Sequence, residues 1–187
     1  MEQSPVLDNQ QERRETAIRL AAFFEGEGTF IVSVYDKKNF VNCTPNIRLG
    51  NCDPEALDEM GRILKLHGVG YYVYLQKNYN DEKHAQCGVL NIAGCKRVKT
   101  FLDEFGDYFF ARKRANIKLF RKFLPLLLDR PGSRAPKEAH LERQKVVHAF
   151  KAANQELNRV GISRFLIDYT PDALASEDIV KQPAKAG

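Results

Sequence analysis

The chain has 187 residues, of which 43% are hydrophobic and 28% charged, with a formal net charge of +5. That length supports one well-buried domain with an appended helical piece, and the basic balance favours a polyanionic partner. No run approaches the ~18 apolar residues of a membrane span and the acidic, polar N-terminus is unlike a signal peptide, so the expectation is an intracellular protein without a membrane partner.

Residues 1–15 are polar and charged and read as a flexible N-terminal arm. A helix is predicted over 16–26, where Ile18, Leu20, Ala21, Phe23 and Phe24 give a broad apolar surface. A strand over 29–37 turns at Asp36-Lys37-Lys38-Asn39 into a second strand over 41–50. In the second strand Asn42, Thr44, Asn46 and Arg48 alternate with Cys43, Pro45, Ile47 and Leu49, which gives one polar and one apolar face. Pro45 cannot donate to a ladder and marks either an edge position or an interrupted pair.

Asp53-Pro54 opens the next helix, as N-cap and first helical residue, and the helix ends near His67-Gly68. A tyrosine-rich strand over 69–77, a polar loop over 78–83 and a fourth strand over 84–92 follow. Further helices are predicted over 95–105, 111–128 and 137–159, with a linker at Arg130-Pro131-Gly132-Ser133. The order is α+β with a four-stranded sheet made of two antiparallel hairpins. Residues 16–168 form a single domain, with a core over 16–128, a C-terminal helical part over 129–168 and a disordered tail over 169–187.

The four cysteines, Cys43, Cys52, Cys87 and Cys95, lack paired spacing, so reduced, mostly buried thiols are expected in place of a zinc site or disulfide framework. The four histidines form no metal-ligand cluster in sequence.

The chemistry concentrates in residues 20–28, Leu-Ala-Ala-Phe-Phe-Glu-Gly-Glu-Gly. An apolar helix runs into two carboxylates interleaved with glycines, which permit sharp turning and close backbone approach. Carboxylates at a helix C-terminus face partial negative charge; a divalent cation reverses the sign, with Glu27 and nearby carbonyls as hard oxygen ligands.

This stretch resembles the LAGLIDADG motif of homing endonucleases: the first two residues, apolar fourth and fifth positions, acids at the sixth and eighth, and a glycine at the ninth. The surrounding αββαββα order is also that family's, through about residue 128, and Pro45-Asn46-Ile47-Arg48-Leu49 and Arg114-Ala115-Asn116 are weaker echoes. The resemblance implies that motif helices of two subunits pack together and place two acids beneath the DNA minor groove. One motif per chain implies a homodimer, each subunit giving one Glu27, with Leu20, Ala21, Phe23 and Phe24 at the dimer interface. It implies Mg2+ held by Glu27 and the Gly26 carbonyl, with Mn2+ able to substitute and Ca2+ binding without supporting cleavage. By alignment Asn51, and Arg112 or Lys113, are the remaining catalytic candidates, for hydrogen bonding the water network or stabilising phosphate charge.

The same resemblance turns the polar sheet face into a reader of double-stranded DNA through the major groove. Ile31, Ser33, Tyr35 and Lys37 on the first strand and Asn42, Thr44, Asn46 and Arg48 on the second are the predicted contacts. Tyr72, Tyr74, Gln76, His84 and Gln86 complete the set from the later hairpin, and Lys38, Lys77 and Lys83 add phosphate contacts. The implied activity is a site-specific, metal-dependent double-strand break with short 3′ overhangs in a long pseudo-palindromic target, promoting intron homing. No small-molecule substrate is expected, and the compartment would be whichever holds the intron-bearing DNA: chloroplast, mitochondrion or prokaryotic cytoplasm. The alternative within the family is a non-cleaving RNA maturase or DNA-binding regulator.

Overall fold

The computed structural model describes residues 5–37, 40–76, 87–110, 113–129 and 136–160. The elements are α1 (Pro5–Glu27), β1 (Gly28–Lys37), β2 (Phe40–Asn51), α2 (Pro54–Leu66), β3 (Tyr72–Leu75), β4 (Gly88–Ala93), α3 (Cys95–Phe105), a 3₁₀ turn (Gly106–Tyr108), α4 (Arg114–Leu128) and α5 (Lys137–Val160). The predicted α+β order is therefore the observed one. The strands form one antiparallel sheet in the order β1-β2-β4-β3.

One face of the sheet carries Phe30, Val32, Ile47, Leu49, Leu90 and Ile92, all buried. Against it pack Leu20, Ala21 and Phe24 of α1, Leu57 and Leu64 of α2, and Phe101 and Phe105 of α3, in a single core cluster. Phe150 of α5 joins that cluster by stacking on Phe123 at 4.9 Å and meeting Phe120 edge-on. The C-terminal helical part is thus continuous with the core of the domain.

Two boundaries differ from expectation. The predicted arm is helical from Pro5, because residues 10–15, Gln-Gln-Glu-Arg-Arg-Glu, are strong helix formers. Gln11 donates to Glu15 one turn on, at 3.0 Å, and Arg13 pairs with Glu104 of α3 at 3.0 Å. The third strand begins only at Tyr72, because the chain before it caps α2. Gly68 is left-handed at φ 71° and the Val69 N–H reaches back to the Leu64 carbonyl at 2.8 Å, with both side chains buried. That six-residue wrap with its apolar contact is a Schellman cap. The fourth strand is described from Gly88, and the predicted residues before Cys87 lie outside the described residues. The N-terminus of α2 is as predicted, with the Asp53 carboxylate accepting from the Glu55 and Ala56 N–H groups and proline in the first turn.

Pro45 marks an interrupted pair within an inner strand. It faces Val32 across β1-β2, but the Val32 N–H points to the outer edge, where Asn154 takes it at 3.2 Å. The missing proline donor therefore faces β4, whose ladder begins one residue later at Asn46–Ala93. Only the Pro45 carbonyl is used there, by Gly94 N–H at 2.9 Å.

The cysteine expectation is corrected by a disulfide between Cys52 and Cys87. The β2-β4 register ends at Asn51–Gly88, so the next residues on each chain, Cys52 and Cys87, lie directly opposite. Cys43 and Cys95 are buried thiols.

Candidate active site and nucleic-acid interface

Glu27 is the last residue of α1 and is exposed, and β1 starts at the next residue with no connecting loop. Neither Gly26 nor Gly28 is left-handed. Gly28 is needed for close approach: a Cβ there would lie 2.4 Å from the Phe24 carbonyl oxygen and 3.0 Å from its ring. At Gly26 a Cβ would meet nothing within 4 Å, so the backbone before Glu27 stands in open space.

The last turn of α1 contains no basic residue to offset its carbonyl ends and two carboxylates. Glu25 is buried; its Oε1 accepts from the Lys113 backbone N–H at 2.9 Å, tying the helix tip to the start of α4. Its Oε2 is buried and has no hydrogen-bond partner among the described residues. This hard-oxygen set at the negative end of a helix fits a divalent cation, with the Glu27 carboxylate and the Gly26 carbonyl as the outward donors. Among the described residues no three His, Cys, Asp or Glu side chains cluster for a metal. An ion at this tip must therefore complete its shell with carbonyls, water, phosphate or a second copy of the chain.

The Gly28–Leu49 pair sets the end of α1 beside the end of β2, two residues from Asn51. The Asn51 Oδ1 accepts from Asp53 N–H at 2.8 Å, so that oxygen serves the turn into α2 and the amide NH₂ is its outward-facing group. Lys113 is held beside the tip through its backbone bond to Glu25. Arg112 lies outside the described residues.

Cross-strand pairing places Ile31, Ser33, Tyr35, Asn42, Thr44, Asn46 and Arg48 on the sheet face away from the helices. Tyr72 pairs with Asn91 and Tyr74 with Val89, and Arg48 with Asn91, so the later hairpin shares that face. Tyr35, Tyr72, Tyr74 and Gln76 are exposed, while Ile31, Ser33, Asn42, Thr44 and Arg48 are half-buried. Asn46 departs from expectation. It is 4% exposed, and its amide donates to Ser33 Oγ at 3.3 Å and the Thr44 carbonyl at 2.8 Å, which makes it a brace between β1 and β2. Lys38, Lys77, Lys83, His84 and Gln86 lie outside the described residues, as does the side chain of Lys37.

The expected dimer face is also corrected. Leu20, Ala21 and Phe24 are fully buried in their own chain's core and cannot meet a partner. The outward stripe of α1 is Ile18, Ala22 and Gly26, with half-buried Phe23 alongside. Their i, i+4, i+8 spacing forms one line down the helix.

Sequence reasoning missed three asparagines. Asn154 of α5 is 3% exposed, with its Oδ1 accepting from Val32 N–H and its Nδ2 donating to the Phe30 carbonyl, each at 3.2 Å. Asn158, one turn on, also donates to Phe30. A side-chain amide thus takes the place of a neighbouring strand on the outer edge of β1. Asn91 of β4 is 1% exposed on the sheet face described above. A polar residue alternating with apolar Leu90 and Ile92 was its visible signal.

No family model matches the sequence and no curated protein matches it. Solved structures do. The homing endonuclease I-CvuI, in complex with its target in the presence of Ca, aligns at a TM-score of 0.58 and 13% identity over 88% of this chain and 92% of its own. The LAGLIDADG homing endonuclease I-LtrWI, bound to target DNA, aligns at 0.58 and 19% identity over 82% of this chain and 48% of its own. I-GzeII, another LAGLIDADG homing endonuclease in complex with a DNA target, aligns at 0.57 and 16% identity over 73% of this chain. The chain spans 43% of the length of I-GzeII and nearly all of I-CvuI. These likenesses show that the chain has the fold of the LAGLIDADG homing endonucleases.

Proposed function

We propose that this protein is a site-specific DNA endonuclease that acts as a homodimer and makes metal-dependent double-strand breaks. The observation that carries the reading is the exposed Glu27 carboxylate at the end of α1, leading without a loop into a sheet whose polar face is open. Structural neighbours in complex with DNA support the substrate class.

Two copies joined along the Ile18-Ala22-Gly26 stripe would set their Glu27 carboxylates side by side, and the small residues Ala22 and Gly26 permit close helix approach. Bound Mg2+ supplies an activated water and charge neutralisation at the phosphate. The Glu27 pair and the Gly26 carbonyls would hold that ion. The Asn51 amide and the Lys113 side chain orient water and offset developing negative charge on phosphate. The sheet faces of the two subunits each read a half-site: Arg48 suits guanine, Asn42 suits adenine, and Ile31 a thymine methyl. Tyr35, Tyr72 and Tyr74 line the open face, and the basic balance of +5 adds backbone contacts. Cutting on both strands leaves short 3′ overhangs, and so long a target is met rarely enough for intron homing.

The test starts from full-length protein and a randomised duplex library. Binding selection in Ca2+ should recover a pseudo-palindromic site, and Mg2+ should then produce cuts on both strands with short 3′ ends. Selection of an asymmetric or structureless set, or binding only to intron RNA, would overturn the proposal.

A further inference from the structure

The polar sheet face contains two buried groups that its hydrogen bonds leave unmet. Pairing across all four strands lines up Thr29, Arg48, Asn91 and Tyr72 in one row. The row lies at the active-site end of the sheet, since Thr29 is two residues from Glu27. Asn91 is 1% exposed; its Nδ2 donates to the Tyr72 hydroxyl, while its Oδ1 has no partner among the described residues. Directly opposite, the Arg48 Nε–H is also buried, with no partner among the described residues.

These orphans are complementary. Guanidinium nitrogens only donate and an amide oxygen only accepts, and a buried polar group left unmet is costly. The Tyr72 hydroxyl can accept or donate, so it is Arg48, which only donates, that sets the amide with its Nδ2 on Tyr72 and its Oδ1 toward the guanidinium. The reverse orientation would oppose an NH₂ to a guanidinium, donor against donor. A guanidinium anchored through Nε keeps its two terminal nitrogens paired and outward, the geometry for bidentate contact with guanine O6 and N7.

We infer that Asn91, held by Tyr72, is a specificity-determining positioning residue: when DNA is bound its Oδ1 takes the Arg48 Nε–H, which it does not bond in this structure, and so aims the outer edge of the guanidinium at a guanine. The inference rests on the DNA-reading role proposed above and assigns the base read by this row, the row of the polar face that runs across all four strands toward its active-site end. Arg48 makes the contact, and Asn91 acts through it.

The experiment is a binding profile of the full-length protein across every single-base substitution of its selected duplex, in Ca2+. The wild type should prefer guanine by about tenfold or more at one position of each half-site. Asn91→Leu should reduce that preference below about threefold at that position and leave the other positions unchanged. Asn91→Asp, which keeps an acceptor for Arg48, should restore it. Arg48→Met should abolish it, and adding Asn91→Leu to Arg48→Met should change nothing more at that position. Tyr72→Phe, which frees the amide without emptying the site, should fall between wild type and Asn91→Leu. Undiminished guanine preference in Asn91→Leu, or uniform loss across all positions in both Asn91→Leu and Tyr72→Phe, would overturn the inference while leaving specific DNA binding intact. Failure of the wild type to prefer any duplex would overturn the proposed function with it.

Discussion

Removing the Asn154 side chain should destabilise the fold out of proportion to its place on the last described helix. Asn154→Leu deletes two hydrogen bonds at 3.2 Å to the outer edge of β1. The two lost acceptor and donor roles differ in consequence. Asn158 still donates to the Phe30 carbonyl, but the Val32 N–H is left buried with nothing to bond. Two net hydrogen bonds are worth about 1 kcal/mol each, and an orphaned buried N–H adds roughly 1 kcal/mol or more, so the expected loss is about 3 kcal/mol. For a chain of this length that corresponds to a fall of roughly 6–12 °C in Tm. Asn158→Ala removes one part-buried bond and should cost about 0.5–1 kcal/mol. The double variant also orphans the Phe30 carbonyl and should lose about 1 kcal/mol more than the sum of the single changes. Urea unfolding at fixed protein concentration measures all three. A loss under about 1 kcal/mol for Asn154→Leu, or strict additivity, would refute the idea that α5 completes the edge of β1.

The Cys52–Cys87 bridge closes a separation of 35 residues, so reduction should lower stability by about 4 kcal/mol in the chain-entropy account. Melting with and without dithiothreitol, with Cys52→Ser as reference, checks it; a shift in the serine variant as well would show another cause. Glu104 is held below its ordinary value of 4.5, first by the hydrogen bond from His67 and next, against the opposing effect of burial, by Arg13. A depressed carboxyl stabilises the fold fully above 4.5 and loses that contribution as pH falls through the folded value. Unfolding midpoints should therefore decline below that pH in the wild type, with a shallower decline in Glu104→Gln. Ala22→Glu places a charge in the outward stripe of α1 and should convert a dimer to a monomer in sedimentation; an unchanged dimer mass would remove that stripe from the interface.

The sequence made parts of this molecule plain because their signals are local. Asp53-Pro54 and Gly68 bound α2 through cap chemistry, and the alternation of β2 separates Arg48 from Ile47 by strand geometry alone. The motif led to Glu27 at a helix tip. What was not legible depends on pairing at a distance. The α1 helix is apolar on more than one side, and periodicity does not say which side its own core takes, so Leu20, Ala21 and Phe24 read from sequence as a partner's contacts although they lie in their own chain's core. Cys52 and Cys87 meet only because of the β2-β4 register. Asn154 lies 122 residues from the Val32 N–H it satisfies, and nothing in its neighbourhood announces that task.

The central claim is that chemistry occurs at the paired α1 tips through Glu27. Glu27→Gln keeps the size of the side chain and one acceptor oxygen and removes its charge. On the selected duplex its Kd in Ca2+ should stay within about threefold of wild type, while double-strand cutting in Mg2+ should fall at least about a thousandfold, equivalent to about 4 kcal/mol of transition-state stabilisation. Cutting by Glu27→Gln at the wild-type rate would contradict the account.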